Sequence, residues 1–386
     1  MSELETPRLR MRRWRESDRE PFAALNSDPA VMEHFPAPVE RHASDASIDA
    51  FEAQFAERGW SNWAVEVRDT GDFAGFVGLG IPRRVLPFSP CVEIGWRLAR
   101  AYWGKGYATE AARASLQMGF ETLALPEIVA FTAIGNRRSR AVMERIGMLD
   151  AHQDFEHPGV PAGHPLRKHC LYRMRREDWL RARELAAITA GTLAHYERSA
   201  VDFREGTRGH DVSQNIAALL RHMRGTAPFS ILDFGCGPGR DLAALRALGH
   251  EPVGLEGSAS FVAMARAHSN CEVWQQDFLA LRLPAERFDG IFANASLFHV
   301  PAKELPRVLG ELRGALKPGG VLFSSNPRGD NDEGWNRGRY GAYHDLETWR
   351  AFLESAGFVE LEHYYRPPGL PREQQPWLAS VWRKQG

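Results

Sequence analysis

Cysteine is scarce in this chain: Cys91, Cys170, Cys236 and Cys271 stand far apart among 386 residues and form no CxxC pair and no Cys/His cluster with zinc spacing. That scarcity argues against a structural metal and a disulfide framework, and predicts folding in a reducing compartment. Long apolar runs are missing too: nothing approaches the ~20 residues of a membrane span. The opening Met1-Ser-Glu-Leu-Glu-Thr-Pro-Arg is charged from the start, so the expectation is a soluble, cytoplasmic protein. No charge of one sign dominates, with 48 Lys plus Arg against 49 Asp plus Glu, and composition therefore makes no case for nucleic-acid binding. Internal repeats and low-complexity tracts are also lacking, which makes the two halves different folds rather than duplicates.

What is present is ordinary globular material, 44% hydrophobic and 25% charged, in a chain longer than one core usually organises. Two domains are expected. In the first, alternation and helical spacing predict a strand at 9–14, helices at 18–35 and 43–58, and strands at 63–67, 73–80 and 91–98. A glycine-bearing turn at 103–107 leads into a helix at 109–122, followed by a strand at 128–133, a helix at 138–146 and a strand at 170–174. A charged, helix-prone stretch follows, read as a helical linker over 181–192. From 230 onward, short apolar strands at 230–234, 252–255, 272–275, 288–293, 320–325 and 358–365 alternate with helices, the signature of a mostly parallel sheet covered on both faces.

The sharpest signal in the second half is Ile231-Leu232-Asp233-Phe234-Gly235-Cys236-Gly237-Pro238-Gly239-Arg240, an apolar strand running through a glycine turn into a helix. Such a turn lets backbone approach a ligand and aims free amides at negative groups. A dinucleotide fingerprint would space its glycines as G-x-G-x-x-G, whereas Gly235, Gly237 and Gly239 alternate behind an acidic Asp233. The run resembles the first motif of class I S-adenosylmethionine-dependent methyltransferases. That resemblance spans 193–386 and implies a Rossmann-like, mostly parallel sheet. It also implies that Glu256, at the end of the second strand, holds the ribose hydroxyls, and that Asp277 and Phe278 meet the adenine amino group and ring. Asn294, at the end of the fourth strand, joins the cofactor set with Asp233, Gly235, Cys236, Gly237 and Gly239, and Lys317-Pro318-Gly319-Gly320 matches the turn before the fifth strand. His299, just past a strand end, is a candidate to orient or deprotonate a substrate, with a plain turn cap as the alternative. Tyr340, Tyr343 and His344 lie in a glycine-rich segment that either walls the substrate or simply packs as a loop. Tyr196 and Phe203 read as a lid or as an apolar helix face.

In the first half, Glu93-Ile94-Gly95-Trp96-Arg97-Leu98 leads through Tyr102-Trp103-Gly104-Lys105-Gly106-Tyr107-Ala108 into a helix. Gly104 and Gly106 leave consecutive amides free to surround an anion. With the opening Glu5-Thr6-Pro7-Arg8-Leu9-Arg10-Met11-Arg12 and the later Asn136-x-x-Ser139, this order resembles the GNAT acetyltransferases, in particular the branch related to the ribosomal-protein N-terminal acetyltransferases RimJ and RimL. The resemblance spans 1–180 and implies an α+β fold with a mixed, mostly antiparallel sheet. The family's usual Gln or Arg three residues before the first glycine is Ala101 here. By resemblance, acetyl-coenzyme A lies beside the 93–98 strand, with pantetheine on backbone near Leu98 and pyrophosphate at Gly104, Lys105, Gly106, Tyr107 and Ala108. Asn136 and Ser139 would contact the coenzyme. Glu93 is the candidate general base and the Ser139 hydroxyl the candidate proton donor. The plainer readings are a Glu93–Arg97 ion pair and an Asn136 helix cap.

The resulting expectation is a bifunctional transferase that uses acetyl-coenzyme A to acetylate an amine and S-adenosylmethionine to methylate a small molecule. Small-molecule acceptors are the expected partners, and a homodimer is left open. Two alternatives stand beside it: a methylating enzyme whose first domain senses acetyl-coenzyme A or binds a partner, and an enzyme acting on a ribosomal-protein N-terminus.

Overall fold

The computed structural model describes residues 3–385, so the outermost limits expected for the domains, 1 and 386, lie outside the described residues. The chain divides into two compact units, Met1–Ala182 and Arg183–Gly386. Among the described residues no helix is long and apolar enough to cross a membrane.

The first unit runs β1 (Leu4–Glu5), β2 (Leu9–Arg12), α1 (Arg19–Ser27), α2 (Arg41–Arg58), β3 (Asn62–Val67), β4 (Phe73–Gly80), β5 (Glu93–Leu98), α3 (Tyr107–Gln117), β6 (Glu127–Ala133), α4 (Arg137–Arg145), β7 (Leu149–Asp150), β8 (Phe155–Glu156) and β9 (Lys168–Arg175). Helix α1 stops eight residues short of the predicted 35, because Asp28 precedes Pro29 and is held extended at ψ 115°. One sheet orders the strands β1-β2-β3-β4-β5-β6-β9-β7, with β8 on β9. Every pairing is antiparallel except β5 with β6. Trp63, Phe22, Phe120, Leu9 and Met11 lie at the centre of its core.

The stretch 181–192, expected as a helical linker, is helical and forms part of a longer, 32-residue helix, α5 (Arg176–Thr207), within which the boundary between the units falls. The second unit continues with α6 (Ser213–His222), β10 (Ser230–Phe234), α7 (Arg240–Ala247), β11 (Glu251–Glu256), α8 (Ala259–Ser269), β12 (Glu272–Gln275), β13 (Phe288–Asn294), α9 (Leu305–Ala315), β14 (Leu316–Pro327), β15 (Asp332–Asn336), β16 (Arg339–Tyr343), α10 (Leu346–Ser355), β17 (Phe358–Arg366) and β18 (Trp377–Lys384). Its sheet is ordered β12-β11-β10-β13-β14-β18-β17. The first five strands pair in parallel, and β18 is antiparallel to both of its neighbours. Sequence reading missed β18 because Leu378 to Trp382 are buried without a break: a strand covered on both faces shows no alternation. The glycine-rich segment expected as a loop is a hairpin, β15 with β16, turned by Arg337 and Gly338 at φ +49° and +86°.

Gly239 opens α7 at φ +90°, and a Cβ there would stand 2.7 Å from the Ala265 Cα of α8. A Gly239→Ala variant is therefore expected to destabilise the second unit by about 2–4 kcal/mol, read as a lower urea midpoint by tryptophan fluorescence.

Candidate functional site

In the first unit, β5 and β6 meet at one end only. Glu93 is paired with Val129, the Val129 amide donates to the Val92 carbonyl at 2.9 Å, and beyond that point no register is kept. The far half of β5 thus turns one backbone edge away from any strand partner. The Leu98 carbonyl there accepts from the Trp103 indole at 2.8 Å. The chain then turns through Gly104 and Gly106, at φ +73° and +80°, and Gly106 is the N-cap of α3. Side chains would be strained at both positions, and a Cβ on Gly104 would meet nothing within 4 Å. Arg8 braces this turn. Its Nη1 donates to the Lys105 carbonyl at 2.9 Å, and its Nε donates at 2.6 Å to Glu110, which also accepts from Thr6. This clamp joins residues about a hundred positions apart, which sequence reading did not find.

Glu93 is half-buried and makes no hydrogen bond or ion pair among the described residues. Burial pushes its carboxyl up to about 7. Arg97 forms no ion pair with it. Asn136 caps α4, with Oδ1 accepting from the Ser139 amide at 3.1 Å and Nδ2 donating to Thr132 at 2.9 Å. The Ser139 hydroxyl has no partner among the described residues, and no hydrogen bond joins it to Glu93.

In the second unit a cavity of 720 Å³ opens at the C-terminal ends of the parallel strands. Gly235, Cys236, Gly237, Glu256, Asp277, Phe278, Asn294 and His299 line it; Asp233 and Gly239 stand behind the wall. Gly235 and Gly237 have φ +80° and +52°, and an added Cβ at Gly237 would meet only Phe203, at 4.0 Å. Backbone is therefore bare at Gly237, whereas a Cβ at Gly235 would stand 2.4 Å from the Ser296 Cβ. Glu256 accepts from the Gly237 amide at 3.0 Å and the Ser258 amide at 2.9 Å, while burial raises its pKa. Asp233 is almost wholly buried with Oδ2 unpartnered; burial and then the nearby Asp241 hold its carboxyl well above the usual range. Asp277 accepts from the Leu279 amide at 2.8 Å, and Phe278 stacks on Phe234 with centroids 4.2 Å apart.

A family profile described as "Acetyltransferase (GNAT) domain" matches residues 8–149. The protein YkkB of Bacillus subtilis is 33% identical over 148 residues, 38% of this chain and 85% of that protein. The FsC-acetyl coenzyme A-N(2)-transacetylase of Aspergillus fumigatus is 30% identical over 190 residues, 46% of this chain and 78% of that enzyme. The chain belongs to the GNAT acetyltransferases. It carries a methyltransferase domain as well, since a "Methyltransferase domain" profile matches residues 231–320. The 24-methylenesterol C-methyltransferase 2 of Oryza sativa is 35% identical over 197 residues, 47% of this chain. The chain spans slightly less than half, 46%, of that relative's length.

The methyltransferase unit surrounds the expected residues with groups that the sequence did not mark, Asn215, Asp241, Arg339 and Tyr364. Asn294 donates to Asp241 and accepts from Asn215, both at 3.0 Å, and Asn215 in turn accepts from the Tyr364 hydroxyl. Tyr196 and Phe203 of α5 line the cavity, and the Tyr196 hydroxyl lies 2.8 Å from His299 Nε2. His299 Nδ1 stands 2.6 Å from the Tyr340 carbonyl, which only accepts, so that nitrogen carries the proton and Nε2 accepts from Tyr196. Arg339 donates to the same tyrosine oxygen at 3.2 Å. Burial draws His299 down to about 4, leaving a neutral imidazole throughout the physiological range. Tyr340 reaches this site through its backbone carbonyl, whereas His344 is buried with both ring nitrogens unpartnered.

Proposed function

We propose that the chain is a bifunctional transferase whose GNAT unit acetylates an amine and whose methyltransferase unit methylates a small molecule. The observation that carries this reading is the pairing, in each unit, of a left-handed glycine turn at a helix start with an enclosed acidic side chain on an adjoining strand: Glu93 in one, Glu256 in the other. The bare turn from Gly104 to Ala108 fits the pyrophosphate of acetyl-coenzyme A, which supplies a thioester acetyl group when bound. The unpaired edge of β5 fits its pantetheine arm. Glu93, free of partners and poised near neutrality, is suited to take the proton of an incoming amine, and the Ser139 hydroxyl to protonate the departing thiolate.

In the methyltransferase unit the residues present fit S-adenosylmethionine, which supplies an electrophilic sulfonium methyl when bound. Glu256 keeps acceptor capacity for the ribose hydroxyls, Gly237 offers bare backbone, and Asp277 and Phe278 line the same cavity, where the adenine would lie. Asp241, which lines the cavity, offers negative charge to the donor's ammonium end. At 720 Å³ the cavity sits within the roughly 300–1,000 Å³ of small-molecule sites. Tyr196, held between His299 and Arg339, is positioned to orient a polar acceptor. Incubating the protein with both donors and a metabolite extract, then searching by mass spectrometry for added acetyl and methyl groups, tests the proposal. Absence of both products overturns it.

Tyr196→Phe removes the proton donor to His299 while keeping the ring that packs on Phe203 and Phe261. Methyl transfer into the extract is expected to fall about 10- to 100-fold, with S-adenosylmethionine affinity changed less than about threefold by calorimetry. Because His299 is neutral above about pH 5, the wild-type rate is expected to show no histidine limb between pH 6 and 8.

A further inference from the structure

We propose that the acceptor of the GNAT unit is an amine that also bears a carboxylate or phosphate, and that Arg97 selects it. This rests on the acetyl-transfer reading above and names the chemistry of its acceptor. Positions 93, 95 and 97 point to one face of β5, and they read glutamate, glycine, arginine. A Cβ added at Gly95 would meet nothing within 4 Å, so space opens over the strand between the two charged side chains.

Arg97 is enclosed in a manner that lacks a counter-ion. Its Nη1 donates to the neutral Asn26 side chain at 2.5 Å, and its guanidinium carbon lies 4.2 Å from the Phe35 ring centroid and 5.6 Å from that of Phe76. Nε is buried with no partner, and no carboxylate pairs with the group among the described residues. Burial alone draws its pKa down to about 10, which still leaves it charged at neutral pH. The same unit shows how it treats a structural arginine. Arg12, buried in β2, is gripped by both oxygens of Asp18 and by Glu66, at 2.6–2.8 Å. An enclosed cation is costly without an anion, and at Arg97 the fold supplies orientation from Asn26 and two rings but no negative charge. The guanidinium fork matches the oxygens of a carboxylate or phosphate, and Glu93 at the other end of the opening is the group that faces the amine.

The test uses matched acceptors that differ by the acidic group: phenylalanine against phenethylamine, β-alanine against ethylamine, and phosphoethanolamine against ethanolamine. Wild-type protein is expected to use the acidic member of at least one pair about tenfold better in kcat/KM, and the pair that responds tells carboxylate from phosphate. Arg97→Gln is expected to erase that preference by raising KM for the acidic member about 10- to 100-fold, leaving the neutral member and acetyl-coenzyme A affinity within about threefold. Arg97→Lys is expected to keep part of the preference. Phenylpropionate, an acid without an amine, is expected to inhibit the wild type competitively against phenylalanine, a readout independent of whether the variants fold. Equal or better use of the neutral member in every pair, or a preference that survives Arg97→Gln, overturns the assignment of Arg97. No transfer to any member despite acetyl-coenzyme A binding overturns the acetyl-transfer reading itself.

Discussion

Glu256→Ala is expected to weaken S-adenosylmethionine binding about 100- to 1,000-fold, while acetyl-coenzyme A affinity, measured by calorimetry on the same preparation, stays as in the wild type. On the proposed reading two ribose hydroxyls would bond this carboxylate, and about 1.5–2 kcal/mol for each, the lower part of the span for bonds to charged groups, sets that range. The carboxylate also holds the Gly237 and Ser258 amides, so alanine strands two donors and loosens the turn beneath the ligand. Glu256→Gln keeps an acceptor for one amide and is expected to fall between the two. Because burial raises the Glu256 pKa, donor affinity should begin to fall on acidification at a higher pH than for an exposed carboxylate. An unchanged affinity in Glu256→Ala would remove the methyl donor from this cavity.

Glu93→Gln is expected to lower acetyl transfer to amines about 100- to 10,000-fold with acetyl-coenzyme A binding retained, the range of a lost general base. A base with a pKa of about 7 is half ionised near neutrality, so wild-type kcat/KM should fall tenfold per unit as pH drops below about 7, and that limb should vanish in the variant. The stability effect has the opposite sense. The folded pKa of about 7 exceeds the ordinary 4.5, so the folded state holds the proton more tightly than the unfolded chain does. That stabilisation is complete below about pH 4.5 and is lost as pH rises through about 7. Glu93→Gln is therefore expected to be more stable than wild type by about 1–3 kcal/mol at pH 8 and equal to it at pH 4, measured by thermal denaturation at both values. A variant that is both less active and more stable separates a functional carboxylate from a structural one, since losing an ion pair would destabilise the fold.

Legibility followed the range of the chemistry. Gly104, Gly106, Gly235, Gly237 and Gly239 could be read because a left-handed backbone is a property of one residue and its neighbours. Glu256 could be placed because a strand end is announced by the apolar run before it. The Asn136 cap on Ser139 spans three positions and was visible for the same reason. By contrast Tyr196, His299 and Arg339 come from α5, the turn Leu297–His299 and β16, up to 143 positions apart, and no local pattern announces their contact. Strand β18 escaped because its place between β14 and β17 hides both of its faces.

Sequence by itself determined that the chain holds two unlike α/β units, each with a strand, a glycine turn and a helix, because backbone conformation and hydrophobic period are encoded over a few residues. Only tertiary structure decided the state of the charges: that Glu93 stands without a partner, that Arg97 is enclosed without an anion while Arg12 has two, and that His299 is neutral. Desolvation and pairing are set by what packs around a side chain, and those neighbours arrive from distant parts of the chain.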